Sequence, residues 1–344
     1  MTHPILLLGL LIVAFFSKLQ GFQAENAFSQ YWKEHIGLPH PPHWLAAKAS
    51  PLSLHQTLVF MKLMEKNELA SHLHLFCKQA NVACSTNALV RKTMDNTTLP
   101  PIAKWNHIKE KYDRLPNETP LSVASQGGLP YFRESMVREG SSISVPDLRD
   151  SMSYKSFLPR SLVSKIPFSF TRIKELKKLF DVVDDSDIDE YIQNTLETCE
   201  KSPIRGEQCI CATSAEDLID FIVEKLGHHF YAWSTENVEG SYKNVIIGAV
   251  RLIHGNLTEP PALCHSMPFL FQVYYCHVFQ KVKIYAVDIL AGKKVNHAIM
   301  ACHYDTSTWD PNSLAFKMLG FGPGLIEVCH WMNENEVVWT KTLG

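Results

Sequence analysis

Lys281-Val-Lys-Ile-Tyr-Ala-Val-Asp-Ile289 opens with alternating Lys and apolar residues and is rich in Val, Ile and Tyr. Successive side chains of an extended chain point to opposite faces, so a period of two together with β-branched and aromatic residues predicts a half-buried strand. Val, Ile, Tyr and Phe stay frequent from Lys243 onward. The carboxy-terminal third of the chain is therefore predicted to consist mostly of strands.

Earlier parts of the chain carry helical signals instead. Apolar residues recur at roughly helical spacing from Leu52 to Phe76. Ser186 and Ser214 each precede an apolar-periodic segment and offer a hydroxyl cap for the first amide groups of a helix, and Gly227 offers a stop. Helices early and strands late predict an α+β fold with an antiparallel or mixed sheet. Prolines interrupt residues 26–45, which are predicted to form an irregular packed segment.

Four adjacent Cys-His pairs stand out in the strand-rich part, separated by 10, 24 and 25 residues: Cys264-His265, Cys276-His277, Cys302-His303 and Cys329-His330. On a strand, each dipeptide sends its thiol to one face and its imidazole to the other. The four cysteines could then form two disulfides while the four histidines converge on a divalent transition metal, copper or zinc. A zinc site made of thiolates and a set of hydrogen-bonded core histidines are the competing interpretations.

The first residues predict export. Ile5-Leu-Leu-Leu-Gly-Leu-Leu-Ile-Val-Ala-Phe-Phe16 has the composition of the apolar core of a signal peptide and is too short to span a bilayer comfortably. The mature protein is predicted to begin between Phe22 and Glu25. Three Asn-x-Ser/Thr sequons are candidate glycosylation sites: Asn96, Asn117 and Asn256.

An oxidising compartment favours disulfides over free thiols. The chain has nine cysteines, an odd number, so at least one is unpaired or pairs between chains. Cys77 and Cys84 are close enough in sequence to clip the turn between them.

Net charge and motifs exclude several classes of function. A formal net charge of -2 gives no strong global field, so neither nucleic-acid binding nor adhesion to an anionic membrane is indicated. The sequence has no Gly-x-Ser-x-Gly, no His-Glu-x-x-His and no Gly-rich phosphate loop. The acidic run of residues 184–189 precedes a predicted helix and is typical of a helix amino terminus rather than of a glycosidase. No catalytic residue is assigned.

The spacing of the four dipeptides resembles the signature of the BURP domain. Further stretches resemble landmarks of that family: Tyr131-Phe-Arg-Glu-Ser-Met136, Ser156-Phe-Leu-Pro-Arg160, Ser214-Ala-Glu-Asp217, Thr235-Glu-Asn237 and Trp331. The amino-terminal part is similar to the branch of the polygalacturonase beta subunit, in Tyr31-Trp32, Lys48-Ala-Ser-Pro-Leu52 and Phe76-Cys77 with Cys84. The chain departs from that branch because residues 85–129 lack its array of Phe-x-x-Tyr-Gly repeats.

The apolar leader and the polar stretch with two sequons, together with the resemblance, predict four regions: a signal peptide (1–24), an amino-terminal beta-subunit-like segment (25–84), a polar glycosylated linker (85–128) and a BURP domain (129–344). The resemblance also implies that Cys211 holds the family position and that Cys209 is an addition. The expected disulfides are then Cys199 with Cys211 and Cys77 with Cys84, with Cys209 as the odd thiol. Three pairings stay open for Cys264, Cys276, Cys302 and Cys329.

For function, the resemblance implies a non-catalytic protein of the apoplast and cell wall. Its expected partners are a catalytic polygalacturonase and pectic wall polymers, with effects on pectin metabolism, cell size and development. An enzymatic alternative is a copper-dependent peptide cyclase that crosslinks its own chain, in which His265, His277, His303 and His330 would hold the copper. Such cyclases usually show a short core peptide, and residues 26–44 are the place to look for one. A purely structural wall protein is the third hypothesis.

Overall fold

A computed structural model of the chain describes residues 27–84, 129–150, 155–236, 244–291 and 294–342. The predicted signal peptide, the predicted linker and the sequons at Asn96 and Asn117 lie outside these residues. None of the described helices is long and apolar enough to cross a bilayer.

Helices dominate the first part of the chain, with short 3-10 turns between some of them. The helices are α1 (Ala27–Ile36), α2 (His43–Lys48), α3 (Leu54–Glu65), α4 (Leu73–Ala80), α5 (Arg160–Val163), α6 (Ile173–Leu179), α7 (Asp187–Glu200), α8 (Ala215–Leu226) and α9 (Leu314–Leu319). The strands are β1 (Tyr131–Phe132), β2 (Ser142–Ser144), β3 (Gln208–Ala212), β4 (Phe230–Trp233), β5 (Asn244–His254), β6 (Ala262–Met267), β7 (Val273–Val278), β8 (Val282–Ala291), β9 (Lys294–His303), β10 (Val328–Met332) and β11 (Val337–Lys341). The predicted α+β class is confirmed.

The helix boundaries predicted from capping residues are also confirmed. The Ser186 side chain accepts a hydrogen bond from the backbone N–H of Asp189 and so caps α7, which begins at Asp187. Ser214 caps α8 in the same way through the N–H of Asp217. Gly227 ends α8 with a φ of 80°, a conformation that a side chain disfavours.

The predicted irregular segment at residues 26–45 is wrong. It contains α1 and the first three residues of α2, and the prolines lie in the connection between the two helices, with Pro42 at the amino-terminal cap of α2. Phe28, Trp32 and Ile36 recur one turn apart on α1 and are buried. This helical spacing outweighs the prolines because all three prolines lie beyond the last turn of α1.

Two antiparallel sheets form the centre of the molecule. The first has six strands in the order β1-β10-β9-β8-β5-β2, and the second has five in the order β3-β7-β6-β11-β4. One core cluster draws Leu263 and Val338 from the second sheet and Ile284, Ile299 and Ala301 from the first. The two sheets therefore pack face to face across this cluster.

The outer faces of the sheets have their own cores. On the second sheet, Tyr274 and Trp339 share a cluster with Trp32 of α1 and Leu218 of α8, so helices cover that face. On the first sheet, Val287 belongs to a cluster that contains residues of the short strands and loops of the 129–150 segment. In each central strand, one row of side chains therefore points toward the other sheet, and the alternate row points toward an outer layer.

Candidate functional site

The Cys-His dipeptides lie on two pairs of neighbouring strands. In β6 and β7, Cys264 lies directly opposite Cys276, and the two form a disulfide with Cα atoms 4.0 Å apart. In β9 and β10, Cys302 lies opposite Cys329 and forms the second disulfide, again with a Cα separation of 4.0 Å. Of the three possible pairings of these four cysteines, the structure has the one in which each disulfide joins neighbouring strands of the same sheet. Both disulfides face the outer cores.

The imidazoles take the opposite faces, as strand alternation requires. His265 and His277 are diagonal neighbours on β6 and β7, and their Nε2 atoms are 3.2 Å apart. His303 and His330 are related in the same way on β9 and β10, with Nε2 atoms 3.3 Å apart.

The two pairs meet where the sheets face each other. Ring centroids of His265 and His330 are 5.4 Å apart, and those of His277 and His303 are 6.2 Å apart. The four imidazoles, two from each sheet, are called here the four-histidine cluster. The structure therefore brings the four imidazoles close together.

Aromatic residues close one side of the cluster. The rings of Phe279 and Trp309 pack edge-on against His303, with centroid distances of 5.7 and 5.2 Å. His303 is only 2% exposed. These contacts keep water away from this part of the cluster.

Two buried carboxylates hold the pair on the second sheet. His265 Nδ1 lies 3.2 Å from Glu336 Oε1, and His277 Nδ1 lies 3.2 Å from Glu207 Oε1. Glu207 Oε1 also accepts a hydrogen bond from the Tyr275 hydroxyl at 2.6 Å. Burial opposes ionisation of Glu207, but the hydrogen bonds from His277 and Tyr275 outweigh it and lower the pKa of this carboxyl. Burial likewise opposes ionisation of Glu336, while His265 lowers its pKa.

Burial favours the neutral form of three of the four histidines, His277, His303 and His330. Burial lowers the pKa of His277, and it lowers that of His303 well below the ordinary value, with further lowering by the neighbouring histidines. Burial together with His265 lowers the pKa of His330 to about 4. Neutral imidazoles have a free lone pair, which is the form that binds metal ions.

The hydrogen bonds to Glu207 and Glu336 fix the tautomers on the second sheet. An ionised carboxylate only accepts, so Nδ1 of His265 and of His277 carries the hydrogen, and the Nε2 of each ring is an acceptor when that ring is neutral. Two acceptors that face each other at 3.2 Å repel unless a proton or a metal ion lies between them. Neighbouring ligands of a tetrahedral ion with metal–nitrogen bonds of about 2.0 Å are separated by about 3.3 Å, which matches both pairs.

The donor set therefore fits a copper or zinc ion, because it offers four imidazole nitrogens, three rings whose burial favours the neutral form, and carboxylates behind His265 and His277. Even so, across the described part of the chain no group of three or more His, Cys, Asp or Glu side chains is spaced as a complete metal site. The structure brings together two pairs of potential ligands, His265 with His277 and His303 with His330. That all four bind one metal ion stays a prediction.

The other predicted site residues lie away from the cluster or beside it. Cys77 and Cys84 form one disulfide and Cys199 and Cys211 form another, as predicted. Cys209, on β3, has the free thiol among the described cysteines, and it lies opposite His277 of β7.

Asn256 lies in an exposed turn, where its side-chain oxygen accepts hydrogen bonds from the backbone N–H and the hydroxyl of Thr258. Glycosylation of this sequon stays a prediction.

Sequence reasoning missed the residues behind the imidazoles. Glu336 directly precedes the apolar run that forms β11. An acidic residue next to such a run is a signal that could have identified Glu336. Nothing in the sequence marks Glu207, because its contact with His277 depends on the placement of β3 beside β7. Tyr275 lies two residues before His277 on β7, and the period of two along a strand is a signal that could have placed these two rings on one face.

Comparison with known proteins gives a consistent set of relatives. Residues 130–341 match the family model described as the BURP domain. Over 212 residues the chain is 43% identical to the polygalacturonase-1 non-catalytic subunit beta of Solanum lycopersicum, and it is 43% identical to polygalacturonase 1 beta-like protein 3 of Arabidopsis thaliana. It is 40% identical over 213 residues to BURP domain-containing protein 12 of Oryza sativa subsp. japonica. Each match takes in 61% of this chain and 34% of the relative, so the chain spans about a third of the length of the curated relatives it matches.

Proposed function

This chain belongs to the BURP-domain family, and from that premise we propose that it is a secreted, non-catalytic cell-wall protein that associates with a catalytic polygalacturonase. In this role it modulates pectin breakdown, and through it cell size and development. The observation that carries the proposal is the 43% identity, across the whole BURP region, to proteins that are named non-catalytic subunits of polygalacturonase.

The fold is compatible with a binding role. Four disulfides and two packed sheets form a rigid scaffold, which suits a protein that must persist outside the cell. The apolar leader of residues 5–16 supports export to the apoplast. Pectic polymers are the expected second partner because they are the substrate of the catalytic subunit.

Association is tested by mixing the purified chain with a catalytic polygalacturonase and polygalacturonate. We expect the two proteins to coelute in size-exclusion chromatography, the enzyme's rate or heat resistance to change, and the chain alone to release no reducing ends. The same chain after reduction and alkylation is the matched control, because it keeps the composition and loses the fold. Absence of both coelution and any effect on the enzyme would contradict the proposal.

Export is tested with a carboxy-terminal fluorescent fusion in plant cells. The expected result is fluorescence in the wall space, an amino terminus between Phe22 and Glu25, and glycan on Asn96 or Asn256. A fusion that stays in the cytosol with its leader intact would rule out a wall function.

A second candidate function is a copper-dependent peptide cyclase, and the facing Nε2 atoms of His265 and His277 favour it. The four-histidine cluster would hold the ion, Glu207 and Glu336 would orient two of its ligands, and Phe279 and Trp309 would limit access of water. Bound copper supplies one-electron oxidation chemistry. The third hypothesis, a structural wall protein that binds neither copper nor polygalacturonase, predicts that both tests fail.

Copper binding is measured by calorimetric titration of the wild type and of the double variant His277→Ala/His303→Ala. We expect the variant to bind Cu²⁺ at least about tenfold more weakly, because half of the ligand set is lost. Circular dichroism should show an intact fold, since the disulfides lie on the opposite faces of the strands. The double variant His55→Ala/His74→Ala removes two exposed histidines and should bind like the wild type. Intact mass then reports cyclisation, as a loss of hydrogen beyond that expected for four disulfides.

A further inference from the structure

A pocket of about 540 Å³ opens where the amino-terminal helices α1 and α3 meet α5 and α8. Its volume lies within the range of small-molecule binding sites. Its lining includes no member of the four-histidine cluster, so a ligand here does not depend on the candidate copper site.

The floor of the pocket is apolar and buried. Phe28 of α1, Leu52 before α3, and Phe157, Leu158 and Ala215 line it, and each is at most 5% exposed. Such a surface favours the apolar part of a ligand because its burial removes hydrocarbon from water. An aromatic ring or a branched aliphatic group fits this floor better than a sugar, whose hydroxyl groups would lose hydrogen bonds to water.

The rim contains a guanidinium that is already neutralised. Arg160 lines the pocket, with Nε 2.8 Å from Asp217 Oδ1 and a terminal nitrogen 2.6 Å from Asp220 Oδ2. Asp220 also accepts a hydrogen bond from the hydroxyl of Tyr31, another lining residue. Arg160 is therefore not a free anchor for the carboxylate of a ligand.

Glu216 adds a third acidic group to the same rim. It lines the pocket in the first turn of α8, next to Asp217. Among the described residues, the pocket is lined by one cation, Arg160, and one carboxyl group, Glu216, while Asp217 and Asp220 lie directly beside Arg160 as its ion-pair partners. Burial raises the pKa of Glu216, but the two aspartates outweigh the single guanidinium even before Glu216 is counted. The summed charge at the entrance is negative, which repels anions and attracts cations.

We propose that this pocket binds a small amphiphile with an aromatic or branched aliphatic body and a cationic or hydroxyl head group, and that it discriminates against the corresponding carboxylates. The apolar body lies on the floor between Phe28 and Phe157, and the head group stays at the rim near Glu216. The ligand contacts both the amino-terminal helices and the BURP domain, so its binding holds the two parts together.

Three ligands that share a phenylethyl body and differ in the head group test this proposal: phenethylamine, 2-phenylethanol and 3-phenylpropionate. Titrations of the full chain, followed by ligand-observed NMR or calorimetry, should show the amine binding at least about tenfold more tightly than the carboxylate, with the alcohol between them. The difference between amine and carboxylate should shrink in about 1 M salt, where charges are screened. Absence of binding by the amine and the alcohol, or equal affinity for the carboxylate, would overturn the proposal.

Two variants test separately whether the ligand occupies this pocket and whether its head group lies near Glu216. Ser161→Phe places a bulky group in the opening and should weaken binding of the amine and the alcohol at least about tenfold by steric exclusion. Ser71→Phe, at an exposed serine in the 3-10 turn before α4, is the matched control and should bind like the wild type. Glu216→Gln keeps the shape of the rim and should narrow the gap between amine and carboxylate while leaving the alcohol unchanged. Unaltered affinities in both Ser161→Phe and Glu216→Gln would place the ligand elsewhere and refute the assignment.

Discussion

Lys155 is a basic residue in a fully buried position. Its Nζ donates a hydrogen bond of 2.8 Å to the backbone carbonyl of Met267. Burial lowers the pKa of Lys155 to about 7, and Lys48 lowers it further while Asp150 opposes the change. The folded protein therefore favours the uncharged amine, whereas the unfolded chain keeps the ordinary pKa of 10.5.

The free energy of unfolding should depend on pH through this residue. Between about pH 7 and pH 10.5 the unfolded chain binds more protons at Lys155 than the folded chain does, so stability should rise with pH across that window and reach its lowest level below it. Lys155→Met should remove this part of the slope and raise the free energy of unfolding at pH 6 by about 2 kcal/mol, because no charge is then buried. Urea unfolding at pH 6 to 10 checks this.

The control for Lys155 is Lys174→Met, which replaces an exposed lysine of α6 and should leave the pH dependence unchanged. The two variants behaving alike would mean that the amine of Lys155 reaches water in the folded protein.

Cys209 provides a second prediction at the residue scale. Burial raises the pKa of its thiol, although a hydrogen bond to Tyr275 lowers it in part. Iodoacetamide should label Cys209 slowly in the native protein and faster as pH rises, because the thiolate is the reacting form. Peptide mapping by mass spectrometry without reduction should find label on this cysteine alone, and Cys209→Ser should take up none. Label on Cys199 or Cys211 would show that the predicted disulfide is absent.

At the scale of elements, two β-pairs, β6 with β7 and β9 with β10, repeat one design. Each has a disulfide directly across the ladder on its outer face and a diagonal pair of imidazoles on its inner face. The disulfide fixes the register of the two strands, and the register fixes the distance between the imidazoles. The site geometry is therefore a property of strand pairing rather than of loops.

Removing a disulfide should cost more when it closes a longer loop. Cys302–Cys329 closes a loop of 27 residues and Cys77–Cys84 one of 7. We expect the double alanine variants to lose about 3.5 and about 2.5 kcal/mol of unfolding free energy, respectively, by the loop-entropy relation. Guanidinium unfolding of both variants and the wild type measures the difference. A larger loss at Cys77–Cys84 would indicate that native packing, not chain entropy, dominates.

Much of this could be predicted from the sequence, because the deciding signals are local. The caps at Ser186 and Ser214, the strand-rich last third and the separation of thiols from imidazoles all depend on neighbours within a few residues. The helix at residues 27–36 departs from the prediction because its i, i+4 spacing decides the local structure and all three prolines lie beyond its last turn. The partnership of His277 with Glu207 and the approach of His265 to His330 depend on residues far apart in sequence, which no local pattern encodes.

At the scale of the whole molecule, the amino-terminal helices share the core of the strand-rich part. The ring centroids of Trp44 and Trp339 are 5.7 Å apart, and those of Trp32 and Phe230 are 6.4 Å apart. Backbone hydrogen bonds join the two parts as well, among them one from the N–H of Phe157 to the carbonyl of Lys48 at 2.8 Å. The helices thus cover an apolar sheet face that would otherwise meet water.

Deletion of residues 27–84 should therefore uncover this face. We expect the truncated protein to bind a hydrophobic dye such as anilinonaphthalene sulfonate more strongly and to melt at a lower temperature than the full chain. Differential scanning calorimetry and dye fluorescence measure the two effects. A truncated protein with the melting temperature and dye binding of the full chain would show that the helices add nothing to the core.

The alternation of cysteine and histidine faces imposes a rule of parity on this architecture. Inserting one residue within a strand turns every later side chain of that strand to the opposite face, which would bring a thiol between the sheets and push an imidazole outward. Connections such as residues 304–327 are free of this constraint because they lie outside the ladder. Related chains should therefore differ by odd or even numbers of residues in the connections, but only by even numbers within β6, β7, β9 and β10.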